Sequence, residues 1–258
     1  MHHSYIDRFA QGDSPVHRLD ARAKLVAVAA YTAVLISFDR YAVAALAPMA
    51  ILPLAMLWLA GVPTWFALRR VAVASPLILA LCLVSPFYDR PAHAVRLGPW
   101  AFDVAGGWLT AADVAAKFAL ALIALTALVS STRFSLLLEA LQRFRLPRVL
   151  VMQLGLLYRY LFVLIDEAMR IRRGRDFRGA AQAPIARRLG AVGGIVASLF
   201  VRTLDRADRV GVAMAARGFD GHARSLSRLR FRPADAAFLA ATAAYLLLCR
   251  WAWPAILA

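Results

Sequence analysis

Long apolar runs separated by short charged turns dominate the first half of the sequence and return at its end. Five such runs predict membrane-crossing helices, at residues 25–38, 41–60, 71–87, 114–131 and 236–252. A helix needs about 20 predominantly apolar residues to span a bilayer, so the short first run would borrow flanking residues. The pattern therefore predicts an all-α integral membrane protein with about five transmembrane helices.

The region between the fourth and fifth runs has a different pattern. Residues 132–235 mix many arginines with apolar positions at three- and four-residue steps, which is typical of long amphipathic helices. The stretch 149–165 is apolar but carries Arg159 near its middle, and an Arg facing lipid is costly. We therefore predict that this stretch lies at the inner membrane surface or enters part-way. The predicted regions are an N-terminal transmembrane region (1–131), a helical region outside the membrane (132–235) and a C-terminal transmembrane helix (236–258).

Charge predicts the orientation of the chain. The 258 residues are 62% hydrophobic yet hold 31 Lys and Arg against 15 Asp and Glu. This combination favours a membrane protein with basic loops over a nucleic-acid binder. With the N-terminus in the cytoplasm, the five spans place 26 of the 31 basic residues inside, 20 of them within residues 133–232. The loop 88–113 then lies outside, and residues 1–24 are too polar for a cleavable signal peptide.

A charged helix that ends near residue 217 carries the clearest local signal. Its apolar positions form one stripe, made of Val196, Phe200, Leu204, Ala207, Val210 and Met214. Asp205 stands one turn before Arg209, which predicts an intrahelical ion pair. Gly218 predicts a left-handed stop for the helix, which leaves Arg217 exposed at its tip. The donor fork of such an Arg suits a carboxylate on another protein.

The same kind of helix end occurs twice. Gly174-Arg-Asp-Phe-Arg-Gly179 matches Ala216-Arg-Gly-Phe-Asp-Gly221 in its Arg, its Phe and its final Gly. Two copies indicate two similar receiving sites, as in a partner that is a dimer or pseudo-dimer. The alternative is two ordinary helix ends, where the dipole favours Arg and the turn favours Gly.

A short amphipathic helix precedes these long helices. Ser135 is placed to cap it, and its apolar side carries Leu137, Leu138, Leu141 and Phe144. We expect this side to pack against the long helices rather than to face water.

Several kinds of chemistry are missing from the sequence. It has no Gly-x-x-x-x-Gly-Lys-Ser/Thr loop, no His-Glu-x-x-His and no Gly-x-Ser-x-Gly, so no ATP hydrolysis by this chain and no catalytic residues are predicted. His2 and His3 could bind a transition metal, but adjacent His residues in a terminus bind weakly. Asp205 and Asp208 could hold a Mg²⁺-diphosphate, although surface ion pairing explains them more simply. No resident metal site and no cofactor are therefore predicted.

Several short segments together resemble the CbiQ branch of the energy-coupling-factor transporter family. They are Tyr5-Ile-Asp-Arg8, Ser14-Pro-Val-His-Arg-Leu-Asp-Ala-Arg-Ala-Lys-Leu25, Leu146-Pro-Arg-Val-Leu150, Tyr158-Arg-Tyr-Leu-Phe162 and Ala213-Met-Ala-Ala-Arg-Gly-Phe-Asp-Gly221. The resemblance covers the whole chain. It implies the transmembrane coupling subunit, or T component, of an importer in the bacterial inner membrane. Its implied partners are two cytosolic ABC-type ATPase subunits, a metal-specific substrate-binding membrane subunit and membrane lipid.

The resemblance also implies which residues dock on the ATPases. In that family two Ala-Arg-Gly motifs end the coupling helices, and the intact copy here is Ala216-Arg217-Gly218. The first copy keeps Arg175 but has Asp176 in place of the Gly, so we expect a weaker contact there. The residues expected to support these ends are Gly174, Phe177, Gly179, Phe219 and Gly221.

The implied cargo is cobalt, with nickel as the near alternative, and the metal is expected to bind the separate substrate-binding subunit. Two other classes of function remain open from the sequence. One is an intramembrane enzyme acting on a lipid-linked substrate. The other is a self-sufficient secondary transporter, for which the clear spans offer only Lys117 as an ionisable group.

Overall fold

The computed structural model describes residues 10, 12–39, 46–88, 92–97, 100–177, 184–221 and 229–257. The helices within these residues are α1 (Pro15–Arg18), α2 (Ala21–Ile36), α3 (Ile51–Leu59, preceded by the 3₁₀ turn Pro48–Ala50), α4 (Thr64–Tyr88), α5 (Gly106–Ser131), α6 (Phe134–Arg143), α7 (Arg148–Asp176), α8 (Ile185–Ala216) and α9 (Pro233–Leu257). The prediction of an all-α protein is confirmed, with one small exception.

The exception is a β-hairpin in the loop 88–113. Strand β1 (Ala92–Leu97) pairs antiparallel with β2 (Trp100–Ala105), and the register places Ala92 opposite Ala105 and Leu97 opposite Trp100. From the sequence, this stretch was predicted only as a loop outside the membrane. The Gly and Pro residues of this loop lie outside the two strands, so they do not interrupt the strand pairing.

Chain contacts divide the protein into two compact units. The first, which we call the membrane unit, comprises residues 1–140 and 228–258; the second, the coupling unit, comprises residues 141–227. Two clusters of buried side chains form the core of the membrane unit. Tyr31, Leu35, Met49 and Leu246 belong to one cluster, and Leu57 belongs to the other. The Tyr31 hydroxyl donates to the Met49 carbonyl at 2.9 Å, so this buried polar group is satisfied within the core.

Within the described residues, three helices are long and apolar enough to cross a membrane: Gly106–Ser131, Arg148–Asp176 and the Pro233–Trp251 part of α9. A fourth possible span is the pair Thr64–Pro76 and Ile78–Val84, which is bent by 47°. Pro76 accounts for the bend because proline removes a helical hydrogen bond and crowds the preceding turn. The helices that cover the first two predicted runs are shorter, with 16 residues in α2 and an apolar segment at Pro48–Leu59.

The length and composition of α7 differ from the prediction for 149–165. That stretch was not counted as a span because of Arg159, yet it belongs to one uninterrupted helix whose mean hydropathy reaches 1.7 over 18 residues. The apolar residues around Arg159 outweigh a single charge in that window. Arg159 itself is exposed, so the helix does not bury this guanidinium within the protein.

Helix α6 begins at Phe134, so Ser135 lies in its first turn rather than before it. Leu138 is buried, and Leu137 packs against the core cluster that contains Tyr31 and Leu246. The part of the expectation that these side chains do not face water is therefore met by Leu137 and Leu138, and the partner seen for Leu137 is the core of the membrane unit. Residues 134–140 of α6 belong to the membrane unit, and the rest of the helix belongs to the coupling unit.

Candidate coupling surface

Helices α7 and α8 form the framework of the coupling unit and pack against each other. Helix α8 has 32 residues, which corresponds to a length of about 48 Å. Pro184 precedes it, because proline fits the start of a helix but not its interior. The pair therefore offers long side surfaces and two helix ends at which charged residues can be displayed.

One carboxylate bridges the two helices. Glu167 of α7 accepts hydrogen bonds from Arg170, one turn further along the same helix, and from Arg202 of α8. The side chain of Glu167 is only 11% exposed, so its ion pairs are partly shielded from water. Among the residues that the structure describes, no ion pair joins Asp205 to Arg209. That prediction is wrong, because helical spacing permits a pair but exposed side chains need not form it.

The apolar stripe of α8 is largely uncovered within this chain. Val196, Phe200 and Leu204 are 59%, 63% and 51% exposed, whereas Val210 and Met214 are half-buried. Exposed apolar side chains in this number are unusual for an isolated soluble surface. The stripe predicted from the sequence is thus present, but its N-terminal part does not form a core.

The end of α8 has the geometry predicted for it. The helix ends at Ala216, Arg217 follows as the capping residue, and Gly218 has a φ of +71°. The Gly218 N–H donates to Ala215 O at 3.0 Å, and the Phe219 N–H donates to Met214 O at 3.0 Å. These two bonds define a Schellman motif, in which a left-handed residue reverses the chain and satisfies the last carbonyls.

Arg217 is displayed at this turn. Its side chain is exposed, and it makes no hydrogen bond or ion pair with the rest of the chain that the structure describes. Phe219 is half-buried, whereas Gly221 is exposed and has a φ of +81°. Two left-handed glycines therefore bracket the segment that follows Arg217, and the guanidinium is free to contact another molecule.

The end of α7 is built differently. Gly174 and Arg175 lie within the last turn, the helix runs on to Asp176, and Phe177 keeps a right-handed conformation. The Asp176 Oδ2 atom lies 4.0 Å from the Nε atom of Arg172, which is one turn earlier in the helix. An Asp in place of glycine does not favour the left-handed conformation, so the Schellman turn seen at Gly218 is not formed here. Phe177 is 90% exposed, and Gly179 lies outside the described residues.

Arg175 lies across α8 instead of projecting from a tip. A Cβ atom added at Gly194 would come within 2.6 Å of the Arg175 Nη2 atom, so this guanidinium rests against the glycine backbone. Arg175 is half-buried as a result. The two arginines that the sequence matches are therefore not in equivalent environments.

A buried polar cluster in the membrane unit was not anticipated from the sequence. The Asp20 N–H donates to Asp235 Oδ1 at 2.7 Å, and the Arg232 N–H donates to Asp235 Oδ2 at 2.7 Å. Asp20 also caps α2 by accepting from the Arg22 N–H at 2.9 Å. Lys24 Nζ donates to the Ser131 carbonyl at 2.8 Å. The signal in the sequence that could have indicated this cluster was a carboxylate near the start of each of two apolar helices, Asp20 before α2 and Asp235 in α9.

This cluster explains why the segment Ser14–Leu25 carries Asp20 and Lys24 beside an apolar run. Asp20, Lys24 and Asp235 are almost fully buried, so their charges must be compensated by one another and by the backbone. The segment joins the starts of α2 and α9 to the end of α5. These residues hold the membrane unit together and are not exposed for binding. Within the described residues, no three His, Cys, Asp or Glu side chains are grouped so as to hold a metal ion.

The features above define a helical membrane protein with a basic, exposed pair of long helices. Comparison with protein families then identifies it more narrowly: residues 12–227 match the model of the CbiQ family, described as cobalt transport protein, and the chain belongs to this family. The resemblance found from the sequence motifs is confirmed.

Several curated relatives carry the name energy-coupling factor transporter transmembrane protein EcfT. The protein from Lacticaseibacillus paracasei is 29% identical over 84% of this chain and 85% of its own length. The protein from Listeria innocua is 28% identical over 97% of this chain and 98% of its own length. The protein from Bacillus subtilis is 25% identical over 84% of each chain.

Proposed function

We propose that this chain is the transmembrane coupling component of an energy-coupling-factor importer in the bacterial inner membrane. It would join two cytosolic ABC-type ATPase subunits to a substrate-binding membrane subunit, and ATP would be hydrolysed on the ATPase subunits. The family and the names of the relatives support this role. They favour a transport component over an enzyme acting on a lipid-linked substrate.

One observation carries the proposed coupling role. Arg217 stands exposed at the end of the long helix α8, held at a Schellman turn by Gly218. An Arg in this position contributes little to the fold of its own chain, whereas its planar donor fork suits an acidic groove on a partner. We propose that Ala216, Arg217 and Gly218 form the principal ATPase contact and that Arg175 forms a second, weaker one.

The proposed cargo is cobalt, and the proposed site of metal selection is the separate substrate-binding subunit. The description of the matched family as a cobalt transport protein supports this choice over nickel. Uptake of ⁵⁷Co and of ⁶³Ni by cells that express the complete transporter would separate the two metals. Preferential nickel uptake would contradict the cobalt assignment without affecting the coupling role.

The proposed orientation places the N-terminus and residues 133–232 in the cytoplasm and the loop 88–113 outside. The concentration of arginines in residues 133–232 supports it. In a variant lacking Cys82 and Cys249, an impermeant thiol reagent added outside intact cells should label a cysteine at position 98. It should miss one at position 180 until the cells are opened. The reverse pattern would contradict the orientation.

The coupling role is tested with two arginine variants that differ in position. Arg217→Ala should keep its expression and membrane insertion while the ATPase subunits no longer co-purify in mild detergent. Truncating one member of a desolvated, charge-assisted pair costs about 2–5 kcal/mol. Arg230→Ala, which removes an exposed Arg from the membrane unit, is the matched control and should co-purify normally. Full ATPase association by Arg217→Ala would remove the coupling role from this helix end.

A further inference from the structure

Two cavities lie side by side between α7 and α8. One, which we call the basic groove, has a volume of about 200 Å³ and is lined by Glu167, Arg170, Arg202, Asp205, Arg206 and Arg209 above an apolar floor. The other, the apolar groove, has a volume of about 260 Å³ and is lined by Leu156, Leu157, Tyr160, Ala207 and Val210. Leu164, Thr203 and Arg206 line both grooves, so the two form one continuous surface.

The charge of the basic groove favours an anion. Four guanidiniums face two carboxylates there, which leaves a surplus of positive charge. Glu167 binds Arg170 and Arg202 and so fixes the directions of those two side chains. Arg206 and Arg209 have no hydrogen bond or ion pair to any other residue that the structure describes, and both are exposed. Their donors are therefore available to phosphate oxygens, which Arg binds with matched geometry.

The apolar groove favours a hydrocarbon chain. Leu156, Tyr160 and Val210 are half-buried along its walls, and Ala207 provides a small side chain that leaves the space open. Thr203 does not add a free donor at the junction, because its hydroxyl already donates to the Leu199 carbonyl at 2.6 Å. A charged or strongly hydrated group would gain nothing in this groove, whereas an acyl chain would remove its lining from water.

We propose that these joined grooves bind one anionic phospholipid, with the phosphate at Arg206 and Arg209 and an acyl chain over Ala207 and Val210. Three features select a lipid over other occupants. The polar and apolar parts are adjacent, as in an amphiphile. The excess charge is positive, which complements the headgroup. The groove also borders α7, a helix apolar enough to enter a bilayer. This site is separate from Arg217 and does not depend on the proposed ATPase contact.

The first experiment measures lipid binding to the full-length purified chain by native mass spectrometry. The probes are phosphatidylglycerol, phosphatidylcholine with the same acyl chains, and inorganic phosphate. We expect phosphatidylglycerol to bind about tenfold more tightly than phosphatidylcholine, since each arginine near an anionic headgroup contributes favourably. Equal binding of the two lipids would overturn the proposal.

Variants show where the lipid binds and separate the contribution of the basic groove from that of the apolar groove. The double substitution Arg206→Gln with Arg209→Gln should remove the preference for phosphatidylglycerol, whereas Arg230→Gln, the control, should keep it. Ala207→Phe, which fills the apolar groove, should weaken phosphatidylglycerol binding but leave inorganic phosphate binding unchanged. Ala213→Phe, at an exposed position of α8 that lines neither groove, is its control.

Two further results would contradict the proposal. Phosphatidylglycerol binding unaffected by the double Arg variant would place the lipid elsewhere. Inorganic phosphate that binds as tightly as the lipid, with no effect of Ala207→Phe, would identify a site for free phosphate. Circular dichroism of each variant establishes that its helices are intact. Because no transport is measured, failure of this proposal is distinct from failure of the coupling role.

Discussion

The ends of α7 and α8 share a sequence pattern but present their arginines in different ways. At the end of α8, Gly218 adopts a left-handed conformation and Arg217 is exposed. At the end of α7, Asp176 continues the helix and Arg175 lies against Gly194. The residue that follows the Arg differs between the two ends, and one Arg is displayed at a turn while the other lies beside a helix. Matching residue types in two segments do not by themselves establish two equivalent sites.

The largest difference between the two helix ends is expected in uptake when each Arg is removed in turn. Arg217→Ala should lower cobalt uptake by at least about tenfold, because a partner carboxylate desolvated at the contact would lose its donor fork. Arg217→Lys should recover only part of the uptake, since Lys restores the charge but not the bidentate geometry. Uptake in cells that express the complete transporter is the measurement. Full recovery by Lys would show that charge alone is needed.

Arg175→Ala should reduce uptake less than Arg217→Ala does, because its guanidinium is already engaged within the coupling unit. The double variant should be worse than either single variant if two ATPases are bound separately. ATPase co-purification measured beside uptake distinguishes lost association from lost transport. Equal losses from the two single variants would mean that Arg175 leaves Gly194 in the assembled transporter and acts as Arg217 does.

Asp176→Gly tests whether the residue after the Arg controls the difference. This change creates an Arg-Gly pair at the end of α7 and removes a carboxylate that would repel an acidic partner. We expect Arg175 to become more important, so that Arg175→Ala costs several-fold more uptake in the Asp176→Gly background than in the native one. Asp176→Asn, which removes the charge without supplying a glycine, is the control. An identical result with Asn would assign the effect to charge rather than to backbone conformation.

Two glycine substitutions should shift stability in opposite directions. Gly218→Ala places a Cβ on a residue with a φ of +71°, which costs about 1–2 kcal/mol. Gly174→Ala lies within a helix, and nothing stands within 4 Å of the added Cβ, so it should stabilise by about 0.5–1 kcal/mol. Thermal unfolding in detergent compares them. A stabilising effect of Gly218→Ala would show that the Schellman turn is not maintained in solution.

The smallest effect is expected at the contact between Arg175 and α8. Gly194→Ala would bring a Cβ within 2.6 Å of the guanidinium, which must move, whereas Gly193→Ala has open space. A flexible side chain can yield, so we expect Gly194→Ala to leave stability nearly unchanged. It should, however, make the Arg175 side chain more accessible to an arginine-specific dicarbonyl reagent. Mass spectrometry of the modified peptide gives the rate, and equal rates in the two Ala variants would contradict the contact.

The sequence predicted features that depend on near neighbours in the chain. Gly218 could be identified as a left-handed stop because it directly follows an amphipathic helix, and the geometry confirms it. The position of Arg175 could not be predicted, since it depends on Gly194, which belongs to another helix. The pairing of Glu167 with Arg202 was missed for the same reason, and Asp205 and Arg209 met a helical spacing rule without forming a pair.

The spans were predictable where composition is uniform and less so where charges interrupt it. Residues 114–131 lie within a helix that qualifies to cross a membrane, as expected. The stretch around Arg159 was not predicted to cross the membrane because one charge facing lipid is costly. The whole of α7 is nevertheless apolar enough to qualify as a span. The β-hairpin after α4 was not predicted because its turn residues obscured two short strands.

The hydrogen bond between Asp20 and Asp235 has a consequence for how the protein is made. Its two partners are separated by 215 residues in the chain. During synthesis, the segment that begins α2 leaves the ribosome long before the residue that accepts its N–H exists. The start of α2 must therefore remain incompletely satisfied, or exposed to water, until residue 235 has been synthesised. Helix α9 thus completes α2, and a chain that is truncated before residue 235 lacks the acceptor that closes the membrane unit.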